Sequence, residues 1–119
     1  MQRFGRTLQL VDDPALIERY KDHHRAVWPE VAARLRQVGI TQMRIYLLGR
    51  RLFMYVEAAD SFDPATDFAR INDDLRSREW DELMRTMQER VPEAGVGEWW
   101  AAMEEVFDLG PEPPVVGHA

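Results

Sequence analysis

Cysteine is absent from the 119 residues, which excludes a disulfide framework, a thiol nucleophile, an iron-sulfur centre and any zinc site built on thiolates. No apolar run approaches the roughly 20 residues that a membrane span needs. The opening MQRFGRTLQL lacks the longer hydrophobic segment of a secretory signal, so a cytoplasmic location is expected. Positive charge is in deficit. Lys plus Arg number 15 against 21 for Asp plus Glu, and the net charge of -6 opposes attraction to phosphate backbones, so no nucleic-acid partner is expected. GRR and GVG match neither glycine-rich phosphate fingerprint, and no nucleophile-elbow serine motif occurs.

The chain itself suffices for one domain with a two-layer core. From Arg3 to Val11, Phe4, Leu8 and Leu10 alternate with Thr7, Gln9 and Val11, the period of a strand. Asp13-Pro14 marks a helix start, since a carboxylate accepts orphan amide protons and proline fits the first helical position. The predicted helix runs from Pro14 toward Ala26, Pro29 breaks it, and a second piece continues to Gly39. Met43, Ile45 and Leu47, then Leu52, Met54 and Val56, form a predicted hairpin about Gly49 and Arg50. Asp63-Pro64 repeats the helix-start signal. Ser77 is expected to cap a longer helix carrying Trp80, Leu83, Met84, Met87 and Val91 on one face. VPEAGVGE reads as a loop, and alternation from Met103 to Asp108 predicts a last strand. Residues 1–109 are thus expected to form the domain and 110–119 a flexible proline-rich tail.

Strand, helix, strand, strand, helix, strand is the ferredoxin-like order, an α+β fold with an antiparallel sheet and helices on one face. The uncovered face would carry Gln9, Arg44, Tyr46, Tyr55, Glu57 and Glu105, a mixture of aromatic and charged groups. Such a mixture suits a ligand cavity or a second copy of the sheet.

The sharpest cluster is YKDHHRAVWPE, Tyr20 to Glu30. Tyr20 and His24 lie one helical turn apart on one face, placing a group that titrates near neutrality beside a phenol. The bland alternative is a surface histidine pair beside a core tyrosine. Adjacent His23 and His24 diverge by about 100° on a helix and do not converge on one metal ion. Trp28, Trp80, Trp99 and Trp100 serve either as core or as platforms for the C–H face of a sugar.

These residues resemble the L-rhamnose mutarotase family. The likeness rests on Tyr20, His24 and Trp28-Pro29-Glu30, on IYL at Ile45 to Leu47, on Leu52-Phe53 with Val56-Glu57, on Trp80 and Met84, and on EEVF at Glu104 to Phe107. It implies a homodimeric α/β barrel in which two such sheets face each other, acting on a monosaccharide with no cofactor and no metal. His24 matches the family's proposed proton donor and Tyr20 its sugar-contacting tyrosine. Trp80 matches the first of a tandem tryptophan pair, whose second position is Asp81 here. A further sugar-contacting tyrosine is replaced by Met43. Tyr46 joins Tyr20, Trp80, Asp81 and Met43 as an expected substrate contact, and Glu57 and Glu105 are the first candidates for a base. The implied reaction is anomer interconversion of L-rhamnose or a related 6-deoxy sugar. The departures at Met43 and Asp81 suggest L-fucose as the alternative substrate. Cofactor-free oxygenases and ligand-binding modules share this fold and stand as alternatives from other classes.

Overall fold

A computed structural model describes residues 1–111; the tail expected beyond Gly110 lies, from residue 112 onward, outside the described residues. The elements are β1 (Gln2–Leu10), α1 (Pro14–Arg25), α2 (Pro29–Gln37), β2 (Ile40–Leu48), β3 (Arg51–Ala58), α3 (Asp67–Arg70), a 3₁₀ turn (Ile71–Asp73), α4 (Leu75–Arg85), β4 (Gln88–Glu89) and β5 (Ala101–Met103). The sheet is antiparallel with order β2-β3-β1-β4, and β5 joins the same edge of β1 as β4. This is the expected ferredoxin-like order, with its fourth strand divided by an excursion over 90–100. Among the described residues, no helix is long and apolar enough to cross a membrane.

The pleat of β1 sorts the side chains. Leu8 sits opposite Leu52 and Arg6 opposite Met54, on the face beneath the helices. Thr7 faces Phe53 and Arg3 faces Glu57 on the other side. Two apolar clusters hold the helices down. One gathers Val38, Ile40, Met54, Val56, Ala58 and Phe62, while the other gathers Leu10, Tyr20, Leu52, Met84 and Met87. Ile45 and Trp100 pack against both.

Local chemistry explains the boundaries. The Asp13 carboxylate accepts from the Ala15 amide at 2.9 Å, with Pro14 opening α1. Pro29 opens α2, and Gly39 follows its end with φ 105°, a conformation that glycine adopts without a Cβ clash. Gly49, at φ 61°, turns the hairpin.

Four expectations are corrected. The helix after Pro64 begins at Asp67: the Thr66 amide closes a turn on the Asp63 carbonyl at 3.1 Å, and Asp67 Oδ2 accepts from the Asp63 amide at 2.8 Å. Ser77 does not cap α4. The cap is Asp74, whose Oδ2 accepts from both the amide and hydroxyl of Ser77 at 3.0 Å. Met87 and Val91 lie beyond the helix, which ends at Arg85. The Met87 carbonyl instead accepts from the Val11 amide, drawing the chain into the sheet. The last strand ends at Met103 rather than continuing to Asp108. Residues 104–109 are exposed and part from β1, which itself runs on to Gln2 beyond the Gly5 that Met103 faces.

Leu52 is fully buried between Leu8 on β1 and Leu47 on β2, under Tyr20. Leu52→Ala should destabilise the fold by about 2–5 kcal/mol in urea unfolding, through lost transfer energy and an unfilled void. A loss under about 1 kcal/mol would mean that this cluster repacks freely.

Candidate active site

A cavity of about 690 Å³ lies on the helix-bearing side of the sheet, walled by α1, α2, α4, β2 and the 90–100 excursion. Its size falls within the roughly 300–1,000 Å³ of small-molecule sites. An adjoining groove of about 470 Å³ runs along β2 and shares Tyr20, His24 and Met43 with it.

Tyr20 and His24 project from successive turns of α1, their ring centroids 4.3 Å apart. His24 Nδ1 lies 2.8 Å from the Tyr20 carbonyl oxygen. A carbonyl can only accept, so Nδ1 carries the proton and the neutral ring leaves Nε2 with its lone pair free. Burial pulls the His24 pKa below its ordinary 6.5; the carbonyl bond opposes that shift and nearby His23 reinforces it. Near pH 7 the ring is therefore neutral, with the Nε2 lone pair available. Trp80, in the second turn of α4, meets His24 edge to face at 5.5 Å and Trp28 at 5.1 Å. The Arg76 guanidinium covers the far side of Trp28 at 4.0 Å.

Gln88 on β4 sits opposite Leu10 and is buried with Tyr20, at 6% and 4% exposure. The Trp99 indole donates to Gln88 Oε1 at 2.8 Å, and Gln88 Nε2 donates to the Tyr20 hydroxyl at 3.3 Å. Burial pushes the Tyr20 phenol up to about 12, with the Gln88 bond working against that rise. The phenol thus stays protonated at neutral pH.

Arg6, at the centre of β1, brings a guanidinium into the same cavity. It stacks on Phe68 at 4.3 Å and makes one long bond, 3.4 Å from Nη2 to the Trp100 carbonyl. Burial lowers its pKa while the attraction of Glu98 raises it. Glu98 in turn accepts from the Gly95 and Ala102 amides at 2.8 and 3.1 Å, which holds its carboxyl below the ordinary range. With five donors and one engaged, Arg6 has hydrogen-bonding capacity left for a polyhydroxylated guest.

Of the residues expected from sequence, His24, Tyr20, Trp80, Asp81 and Met43 all line this cavity. Asp81 Oδ2 takes a 2.8 Å bond from Arg85 Nε, whose guanidinium lies over Trp99, which leaves Oδ1 as its acceptor. Tyr46 does not join them. It is 54% exposed on the opposite sheet face, stacked with Phe53 at 6.1 Å. Glu57 shares that outer face opposite Arg3, and Glu105 is exposed beyond β5, so neither borders the cavity. The mixed face is therefore not the cavity wall. Sequence reasoning missed Arg6, Gln88 and Glu98. The available signal for Arg6 was a charge interrupting the apolar side of β1, between Phe4 and Leu8.

The ferredoxin-like domain thus carries a cavity of small-molecule size, lined by an imidazole, a phenol and an aromatic wall. The chain belongs to the L-rhamnose mutarotase family, whose model matches residues 3–109. An L-fucose mutarotase of Xanthomonas campestris is 40% identical over 111 residues, covering 92% of this chain and 89% of that one. A UPF0734 protein of Dictyostelium discoideum is 46% identical over 110 residues, covering 89% and 88%. The crystal structure of an L-rhamnose mutarotase from Formosa agariphila superposes with a TM-score of 0.68 at 20% identity, covering 92% of this chain and all of that one, and attests the fold. The protein is a sugar mutarotase, an isomerase. That membership favours this class over the oxygenase and the ligand-binding module.

Nitrogen-15 NMR of the imidazoles tests the tautomer. His24 should show a protonated Nδ1 and a bare Nε2 at pH 8, and should titrate with a midpoint below 6.5. A protonated Nε2 in the neutral ring would contradict the carbonyl bond.

Proposed function

We propose that this mutarotase opens and recloses the pyranose ring of L-rhamnose or a related 6-deoxy sugar, with His24 and Tyr20 moving the protons. The observation that carries the reading is the Nδ1 bond of His24, which leaves Nε2 as the acceptor. Sequence alone suggested His24 as the acid at the ring oxygen; the tautomer supports its starting as the base instead. Nε2 takes the proton of the anomeric hydroxyl as the bond between C1 and the ring oxygen breaks, and the Tyr20 hydroxyl gives its proton to that oxygen. The open aldehyde turns about C1–C2. The hydroxyl formed from the ring oxygen returns its proton to tyrosinate and attacks the other carbonyl face, while the imidazolium protonates the new anomeric oxygen. Trp80 faces the sugar's C–H surface, and Arg6 offers donors to its hydroxyls.

Anomer exchange followed by saturation-transfer NMR on L-rhamnose and L-fucose tests the chemistry. His24→Ala should lose about 10²- to 10⁴-fold of the enzymatic rate while remaining folded. In the wild type, kcat/KM should fall in acid with a midpoint below 6.5 and stay level above neutrality, because a base is active when unprotonated. A rate that falls as pH rises through that midpoint would return His24 to the role of initial acid. A fully active alanine variant would remove it from the reaction.

The protein's partner in this reading is a second copy of itself. Supporting this are the outer sheet face with its exposed Tyr46–Phe53 stack and the apolar Val106, Phe107 and Leu109, with Phe107 76% exposed. Two such faces placed together would bury both aromatic sets. Light scattering should give about twice 13.9 kDa, and Phe53→Asp should shift the mass to that of one chain. A monomeric wild type at micromolar concentration would dismiss the dimer.

A further inference from the structure

Mutarotation in both directions needs the phenolic proton of Tyr20 to point at the sugar, yet a hydroxyl rotates freely unless something fixes it. The hydrogen-bond chain behind Tyr20 supplies that fixing. An indole Nε1–H is a donor only, so the atom of Gln88 that it meets at 2.8 Å is the amide oxygen. The other end of the amide is then the NH₂ group, which meets the Tyr20 oxygen at 3.3 Å and must donate. With that lone pair engaged and no acceptor on the Gln88 side, the phenolic proton is turned away from β4. No other partner of the Tyr20 hydroxyl occurs among the described residues, and Tyr20 lines the cavity. We propose that the Trp99–Gln88 pair is a positioning device that sets the direction of the Tyr20 proton, pointing it into the sugar cavity, and stabilises the phenolate as the proton leaves.

This deepens the acid role given to Tyr20 and rests on that reading. The amide acts twice. Before transfer it rejects the hydroxyl proton, and during transfer its N–H strengthens its hold on an oxygen gaining negative charge. Both effects operate in a buried setting, where reorganisation by water is excluded. Trp99 reaches Gln88 from the loop over 90–100, and Arg85 covers the Trp99 ring at 4.6 Å, so the indole is held at its N–H and on one face. Gln88 is bonded to the Tyr20 oxygen rather than to the sugar in this scheme, and Trp99 is bonded only to Gln88. They act through Tyr20.

Three variants separate orientation from packing. Gln88→Leu removes the donor and should lower kcat about tenfold at nearly constant KM. Gln88→Glu preserves shape and the Trp99 bond, but a carboxylate would draw the Tyr20 proton backward, so kcat should fall further, about 100-fold. Measured against the wild type at the same pH, lowering the pH should restore part of it, as the carboxyl becomes protonated and able to donate. Trp99→Phe frees the amide to turn over and should lower kcat like the leucine variant. Retention of wild-type kcat by both Gln88→Glu and Gln88→Leu would overturn the proposal, and so would a change confined to KM. A second measurement does not depend on turnover. In the wild type, the Gln88 amide protons should show nuclear Overhauser contacts to the Tyr20 ring, and the Trp99 indole proton should be protected from exchange. Amide protons lying against the indole instead would overturn the inference even in an active enzyme. If the wild type accelerates no sugar, the mutarotase reading fails by itself, and these contacts still decide how the amide is turned.

Discussion

Because β1 is paired on both edges, its pleat cannot shift by one residue without exchanging the contents of the two sheet faces. β3 is registered against its length and β4 and β5 against its other edge, so the alternation of this strand is imposed on the whole sheet. One set of positions, Phe4, Arg6, Leu8 and Leu10, lies beneath the helices. The other, Arg3, Thr7 and Gln9, faces outward. Arg6 reaches the cavity only because it shares parity with two core leucines, and Gln88 does so because it is registered to Leu10. The site is thus a local gap in the apolar layer, opened where polar residues occupy core positions.

The gap is electrically organised. Its polar groups have assigned counterparts: Asp81 with Arg85, Glu98 with two backbone amides, and Gln88 with an indole and a phenol. Burial acts on His24 and Tyr20 in a common direction, favouring the neutral form of each. A neutral base beside a neutral acid suits ring opening, in which one proton is removed and another supplied without net change. Charged partners would hold the transferred proton too tightly to reverse the exchange.

Much of the fold was legible in the sequence because hydrophobic alternation, Asp-Pro helix starts and glycine stops are local signals. The hairpin, the break at Pro29 and the end of α2 follow directly from them. The errors arose where two local signals competed. Asp63-Pro64 has the same chemistry as Asp13-Pro14 but opens a turn, and Asp74 caps the helix that Ser77 was expected to cap. Alternation from Met103 to Asp108 has the period of a strand, but pairing depends on a neighbour, which periodicity does not encode. Within the site, Tyr20 and His24 could be found because their spacing is helical. Gln88 and Trp99 could not, since their meeting depends on how the loop between β4 and β5 returns. Tyr46 and Glu57 have the right residue types on the wrong side of the pleat, a distinction that needs the register as well as the period.

The divided fourth strand makes the enzyme modular in an unusual place. Both halves of that strand hold the same edge of β1, so the loop between them can lengthen, shorten or change composition while the hydrogen-bonded frame stays anchored at each end. One wall of the cavity, with Gly97, Glu98, Trp99 and Trp100, is built from that loop. Tyr20 and His24, the pair proposed to move the protons, are borne on α1. Evolution therefore has a tuning surface for ligand preference that meets Tyr20 at one fixed point, the Trp99 indole holding Gln88, while the rest of the loop is free to diverge within one small domain.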